Sequence, residues 1–184
     1  MFSTQAWRVQ TIDARHLWSE TASGRQYGRM PQAARDTATP AQWFRFGWNI
    51  LNLSTVLGLL VALAGRAKLR RGPRGLVFAE EYRFRFPNAG AFTVGAFIIT
   101  RYTMDDLEAW HPGTLDHEDV HAWQYSYTLG LPYLPVYLLF CAWSWLRTGD
   151  WASRNPYERQ AGLVRGGYTE NPATWAGWRR LVGR

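Results

Sequence analysis

His117-Glu118-Asp119-Val120-His121-Ala122-Trp123-Gln124 is the stretch from which the rest of the chain can be read. Residues i and i+4 of a helix stand one turn apart on one face, so both imidazoles can address a single ion. Glu118 lies on a neighbouring part of that face. A carboxylate there reaches a water held by the metal without becoming a ligand. Asp116 is expected to cap the helix N-terminus. Asp119, if turned away from solvent, would raise the proton affinity of Glu118. Gln124 reads either as a hydrogen-bonding partner near the ligands or as a structural amide. Two histidines and one carboxylate could also hold non-haem iron, but this helical spacing followed by a glutamate suits Zn2+ better.

A catalytic zinc site needs a third protein ligand and one open position. Asp150, Glu158 and Glu170 lie downstream of the pair, and His111 upstream. Chain length favours Glu158. The motif helix is expected to run through Trp123, Gln124 and Tyr127 to Gly130, where Gly130-Leu-Pro-Tyr-Leu-Pro135 reverses the chain. The next apolar run, 136–146, is helix-sized and ends before Gly149. About 13 residues going out travel roughly 20 Å, and about 12 coming back nearly cancel it. Asn155-Pro156 then opens a further helix with Glu158 in its first turn. A membrane crossing within 129–146 would put Glu158 and the histidines on opposite sides, so this segment reads as a core helix.

Upstream, Leu76-Val77-Phe78-Ala79 and Tyr82-Arg83-Phe84-Arg85-Phe86 read as strands, Pro87-Asn88-Ala89-Gly90 as a turn, and 91–100 as a further β-rich run. The expected fold is α+β: a small antiparallel β-meander followed by a helical bundle, with an apolar N-terminal helix ahead of both. That helix comes from 43–64, which has no charge between Arg45 and Arg66 but is diluted by Asn49, Asn52, Ser54 and Thr55. Arg66, Lys68, Arg70, Arg71 and Arg74 follow it directly. The pair of features reads either as a membrane span or in-plane membrane helix with a cytoplasmic basic flank, or as a core helix followed by a solvated loop. The organisation expected is a flexible polar arm over 1–40, this helix and its flank over 41–72, and a metal-binding domain over 73–184.

The composition is compatible with one packed domain of 184 residues, 47% apolar and carrying 11 Trp. The formal charge is +7, and the basic cluster 66–74 is one short block without an interleaved basic and aromatic stripe, which argues against a nucleic-acid groove binder. The single cysteine, Cys141, excludes an intrachain disulfide and reads as a small buried hydrophobe. Arg8, Asp13 and Arg15 interrupt the first 18 residues, so no secretory signal is expected. The expected location is cytoplasmic, associated with the inner face of the cell membrane.

Taken together, His117-Glu-Asp-Val-His121-Ala-Trp-Gln124 and Asn155-Pro-Tyr-Glu158-Arg-Gln-Ala161 resemble the gluzincin type of HExxH metallopeptidase. The match is to compact domains in which HExxHxxQ is followed, after an apolar helical hairpin, by Asn-Pro-x-Glu-x-x-Ala. The continuation 161–168, Ala-Gly-Leu-Val-Arg-Gly-Gly-Tyr, is similar to a segment of compact actinobacterial proteins. The resemblance covers roughly residues 75–168 and makes 73–184 a minimal zincin-like domain. It implies His117, His121 and Glu158 as zinc ligands, Glu118 as general base, and a cleft-side strand over 92–100 that binds peptide or protein by strand addition. It also implies a donor that polarises the scissile carbonyl, with Tyr168, Tyr157, Arg159 and His111 as the choices. The alternative is a non-catalytic membrane-associated protein with a structural or vestigial metal site, in keeping with the Trp content and apolar runs.

Overall fold

Thr39-Pro40-Ala41-Gln42 carries the signals of a helix start. The Thr39 hydroxyl accepts from the Gln42 N–H and the Gln42 side chain accepts from the Thr39 N–H, while Pro40 surrenders a donor that a first turn leaves unused. In the computed structural model, which describes residues 37–87 and 89–183, helix α1 accordingly runs Pro40–Leu51. Residues 1–36 of the expected polar arm, and Asn88 of the expected turn, lie outside the described residues.

The apolar run 43–64 is two helices, not one. Helix α2, Ser54–Ala64, departs from α1 at 76°. Asn52 makes the break: its Oδ1 accepts from the Ser54 N–H at 3.1 Å and from the Ser54 hydroxyl at 2.6 Å, leaving Leu53 in the left-handed conformation. No single helix among the described residues is long and apolar enough to cross a membrane, although this bent pair passes that test jointly by length and composition.

The fold class is α+β, as expected, but the sheet is mixed. Strands β1 (Lys68–Arg71), β2 (Val77–Glu80), β3 (Ala91–Val94) and β4 (Phe97–Thr100) lie in the order β1-β2-β4-β3. β1/β2 and β3/β4 pair antiparallel, whereas β2 and β4 run parallel. The basic cluster contributes the exposed edge strand β1 rather than a loop. The run 91–100 folds into a tight hairpin at Gly95-Ala96, so only β3 is an edge and β4 lies inside. Gly95 has a positive φ, and a Cβ there would stand 2.3 Å from the Thr55 nitrogen. Despite its alternation, 82–86 is not a strand. Only the Tyr82 N–H reaches β4, at the Thr100 carbonyl, and the Arg83 N–H turns to Gly65 instead. The segment has run past the end of its partner.

Alternation in the sheet divides the core in two. Ala79, Phe97 and Ile99 face α2 through Ala62, and Phe78 and Ile98 face the other way. Helix α3 (Met104–Trp110) and helix α4 (Thr114–Tyr127) cover that second face with Met104, Leu107 and Ala122. α4 packs along β3. Helix α5 (Tyr133–Thr148) returns Tyr133 to the first core cluster, and short helices α6 (Pro156–Ala161) and α7 (Ala176–Leu181) follow. α7 seats on α5 at Gly177, where a Cβ would lie 2.0 Å from the Trp145 carbonyl oxygen. Trp175 and Trp178 remain partly exposed beside that contact.

Candidate metal centre

Helix α4 begins after Gly113, which is left-handed, and Glu108 of α3 caps it by accepting from the Gly113 and Leu115 N–H groups. Asp116 therefore does not cap the helix; it pairs with Arg74 at 2.7 Å. α4 has 14 residues and α5 has 16, so the hairpin goes out and comes back over nearly equal lengths. Asn155 then caps α6 by accepting from the Tyr157 N–H, Pro156 takes the first turn, and Glu158 stands in that turn, buried.

Three buried side chains converge there. The Nε2 atoms of His117 and His121 are 3.1 Å apart. His117 Nε2 lies 3.3 Å from Glu158 Oε2, and His121 Nε2 lies 3.6 Å from Glu158 Oε1. Zinc bonds of about 2.0–2.1 Å at a tetrahedral angle put ligand atoms about 3.3 Å from one another. The observed separations fall around that value, and the group has the composition and spread of a metal-binding triad.

The surroundings fix which nitrogens face inward. His117 Nδ1 is 3.1 Å from the Gly162 carbonyl oxygen, which can only accept, so Nδ1 carries the hydrogen. His121 Nδ1 is 2.7 Å from Gln124 Oε1, and the Gln124 amide nitrogen donates to the Tyr157 carbonyl and to Gln160. Both Nε2 lone pairs therefore point at each other and at a carboxylate. Glu158 Oε2 has no hydrogen-bond partner, whereas Oε1 accepts from the Tyr137 hydroxyl. Such a convergence of lone pairs is repulsive until a cation stands in it. The donor set and the orphaned oxygen fit a divalent metal with two imidazoles and one carboxylate.

In the metal-free site a proton plays the part of that cation. Burial opposes the imidazolium of His121, but the hydrogen bond and charge of Glu158, aided by the Glu118 charge, push its pKa up to about 9. Burial likewise opposes the Glu158 carboxylate, yet the neighbouring His117 and His121 imidazoles and the Tyr137 hydroxyl hold its pKa well below the usual range. Burial and the Glu158 charge keep the Tyr137 phenol a donor at any physiological pH.

Glu118 is buried next to the pair, and Thr93 of the edge strand β3 donates to its Oε2 at 2.7 Å. Asp119 is not a free charge beside it: Arg45, fully buried, holds Asp119, and Arg74 lies 3.4 Å from its Oδ2. Of the four donors considered for a substrate carbonyl, only Tyr168 flanks the triad, with its ring 6.0 Å from that of His117 and 37% of the residue exposed. Tyr157 packs among Tyr133, Tyr137 and Phe140. Arg159 pairs with Glu170 at 2.6 Å on the surface, and His111 is exposed beside Gly167. Asp150 is tied up with Ser153 and Asn171, away from the histidines.

Several participants are invisible to motif reading. Tyr133 donates to Gln124 and reaches His121 Nδ1 at 3.1 Å, Tyr137 holds Glu158, and Thr93 holds Glu118. Segment 162–168 passes over His117. Gly162 receives its Nδ1–H, and a Cβ on Gly166 would stand 2.5 Å from its Cε1. The Gly-Gly-Tyr spacing was the only available signal. Comparison with protein-family models, with curated proteins and with solved structures gave no match for this chain.

Proposed function

We propose that this chain is a zinc-dependent metallohydrolase of the gluzincin type, acting on a peptide bond. The observation that carries the reading is the convergence of two Nε2 lone pairs and Glu158 at zinc-ligand spacing, with the buried carboxylate of Glu118 beside them. His117, His121 and Glu158 would hold Zn2+, which supplies Lewis acidity to a water and to the scissile carbonyl.

The chain's own groups divide the remaining work. Glu118 takes a proton from the attacking water and delivers it to the leaving amine, with Thr93 fixing its orientation. Tyr168 is the donor for the carbonyl oxygen as negative charge develops there; desolvation and the charges of Glu158 and Glu118 keep its phenol protonated. β3, an edge strand that carries Thr93, offers backbone groups along which an extended substrate can lie.

Glu118→Gln tests the assignment. It keeps the size and the Thr93 contact but removes the base. The expected outcome is full zinc content with peptide hydrolysis lost by at least about a hundredfold. Undiminished hydrolysis in this variant would remove Glu118 from the mechanism.

A further inference from the structure

The helices ahead of the sheet are built inside out. α2 buries its small and polar residues, Ser54, Thr55, Gly58 and Ala62, and turns Val56, Leu59, Leu60 and Leu63 outward at i, i+3, i+4 and i+7. Gly58 permits the close approach, since a Cβ there would lie 2.3 Å from the Val94 carbonyl oxygen. α1 buries Arg45 and Asn49 and exposes Trp43, Phe44, Trp48, Ile50 and Leu51. The joint between them adds Leu53, 55% exposed and left-handed, a conformation unfavourable for a leucine. Leu129, also exposed and left-handed, stands next to Gly130, whose Cβ position is 2.5 Å from Asn52 of the same joint. Folding alone does not explain leucines at strained, solvent-facing tips.

Charge is arranged around this surface in one sense. No Asp or Glu occurs between Asp36 and Glu80. At the far end of α2, Arg66, Arg83 and Phe84 line one hollow with Ala64 and Gly65, and the next two residues in the chain, Arg85 and Phe86, are exposed. Phe86 is 84% exposed. Among the described residues, Arg66, Arg83 and Arg85 make no ion pair, unlike Lys68 and Arg70. α2 is too short to cross a bilayer, at 11 residues or roughly 16 Å.

We propose that the outward face of α1 and α2, with the Leu53 joint, lies in plane in the headgroup–acyl boundary of an anionic bilayer, with Arg66, Arg83 and Arg85 on lipid phosphates at its margin. Apolar side chains facing out, small residues packed in and a one-signed basic rim match an interfacial anchor. The outward face holds none of the residues of the metal site: α1 meets α4 through its buried side, where Arg45 bonds Asp119 and Asn49 donates to the Ala122 carbonyl.

The experiment is flotation of the full-length protein with vesicles of phosphatidylcholine alone or mixed with phosphatidylglycerol. The wild type should bind the mixed vesicles and lose most of that binding in high salt. Leu60→Gln/Leu63→Gln should weaken partition about a hundredfold, with an unchanged melting curve. Arg66→Gln/Arg83→Gln/Arg85→Gln should abolish the preference for the anionic lipid. An environment-sensitive fluorophore on Leu53→Cys should shift to the blue with the same vesicles, and one on Ala109→Cys of α3 should not; this reading stands even if the leucine variant misfolds. Failure of the wild type to bind the mixed vesicles, or equal responses at both labels, overturns the proposal. So does a wild-type dimer that the leucine substitutions dissociate, because a second copy of the chain would then own the face.

Discussion

Gly166→Ala is the substitution for which the structure makes the most specific statement. A Cβ at this position would lie 2.5 Å from His117 Cε1, 2.8 Å from His117 Nε2 and 2.8 Å from Tyr168 Cε2. Ordinary carbon contacts are about 3.5–4.0 Å, so something must retreat by about 1 Å. The ring cannot yield cheaply, because Gly162 holds its Nδ1 and Nε2 belongs to the triad that would hold the metal. Metal–ligand distances tolerate only about 0.2 Å. The expected loss in zinc affinity is therefore about 10–100-fold, or roughly 1.4–2.8 kcal/mol, with a metal-free stability loss of about 1–3 kcal/mol. Gly167→Ala is the matched control. Its positive φ strains any L side chain by about 1–2 kcal/mol, but its Cβ would meet only His111 Nδ1, at 3.9 Å. Competition with a chromophoric chelator measures the affinity and urea unfolding in EDTA measures the stability. If Gly166→Ala holds zinc as tightly as wild type, or if Gly167→Ala loses as much, the path of 162–168 over His117 is wrong.

The charges of the site and the side chains that support it set four further outcomes. The raised pKa of His121, up to about 9 against an ordinary 6.5, stabilises metal-free protein fully below about 6.5, and that stability is lost as pH rises toward 9. The lowered pKa of Glu158 stabilises above its ordinary 4.5 and is lost on acidification. EDTA-treated protein should thus be most stable between about 4.5 and 6.5. Zinc affinity should run the opposite way, rising from pH 6 to 9 as the proton on His121 is displaced; an affinity flat over that range in chelator competition would contradict the charge assignment. Arg45→Ala should cost about 3 kcal/mol in urea unfolding, the low end for breaking a buried pair, because it leaves Asp119 with Arg74 alone and the Arg74 carbonyl without the Arg45 donor, and Arg45→Met/Asp119→Leu should recover part of it. Tyr137→Phe should weaken zinc about tenfold by freeing Glu158 Oε1 while leaving the chain folded, measured by the same competition.

What the sequence discloses about this fold depends on how local the cause is. The i, i+4 histidines, the Gly130 reversal and the Asn155-Pro156 helix start are local signals, and adding helix lengths is enough to bring Glu158 back to His117 and His121. The bend in 43–64 is also local, but it rests on one Asn52 side chain capturing Ser54, and dilution by polar residues does not disclose that geometry. β1 escapes because Lys-Leu-Arg-Arg has no alternation; all four residues are exposed and only pairing with β2 makes them a strand. Segment 82–86 misleads for the converse reason, an ideal pattern with no partner beyond Thr100. Around the site, Thr93, Tyr133, Tyr137 and Gly162 are ordinary residue types whose roles come from contacts across 12 to 45 positions of sequence. No local rule ranks one tyrosine among nine above another.

The most direct measurement is the metal content of the purified chain by mass spectrometry, beside His117→Ala and Glu158→Ala prepared identically. The account predicts about one zinc per wild-type chain and its loss in both variants. Wild-type protein without stoichiometric metal, or variants that retain it, would contradict the assignment of these three residues as a metal centre.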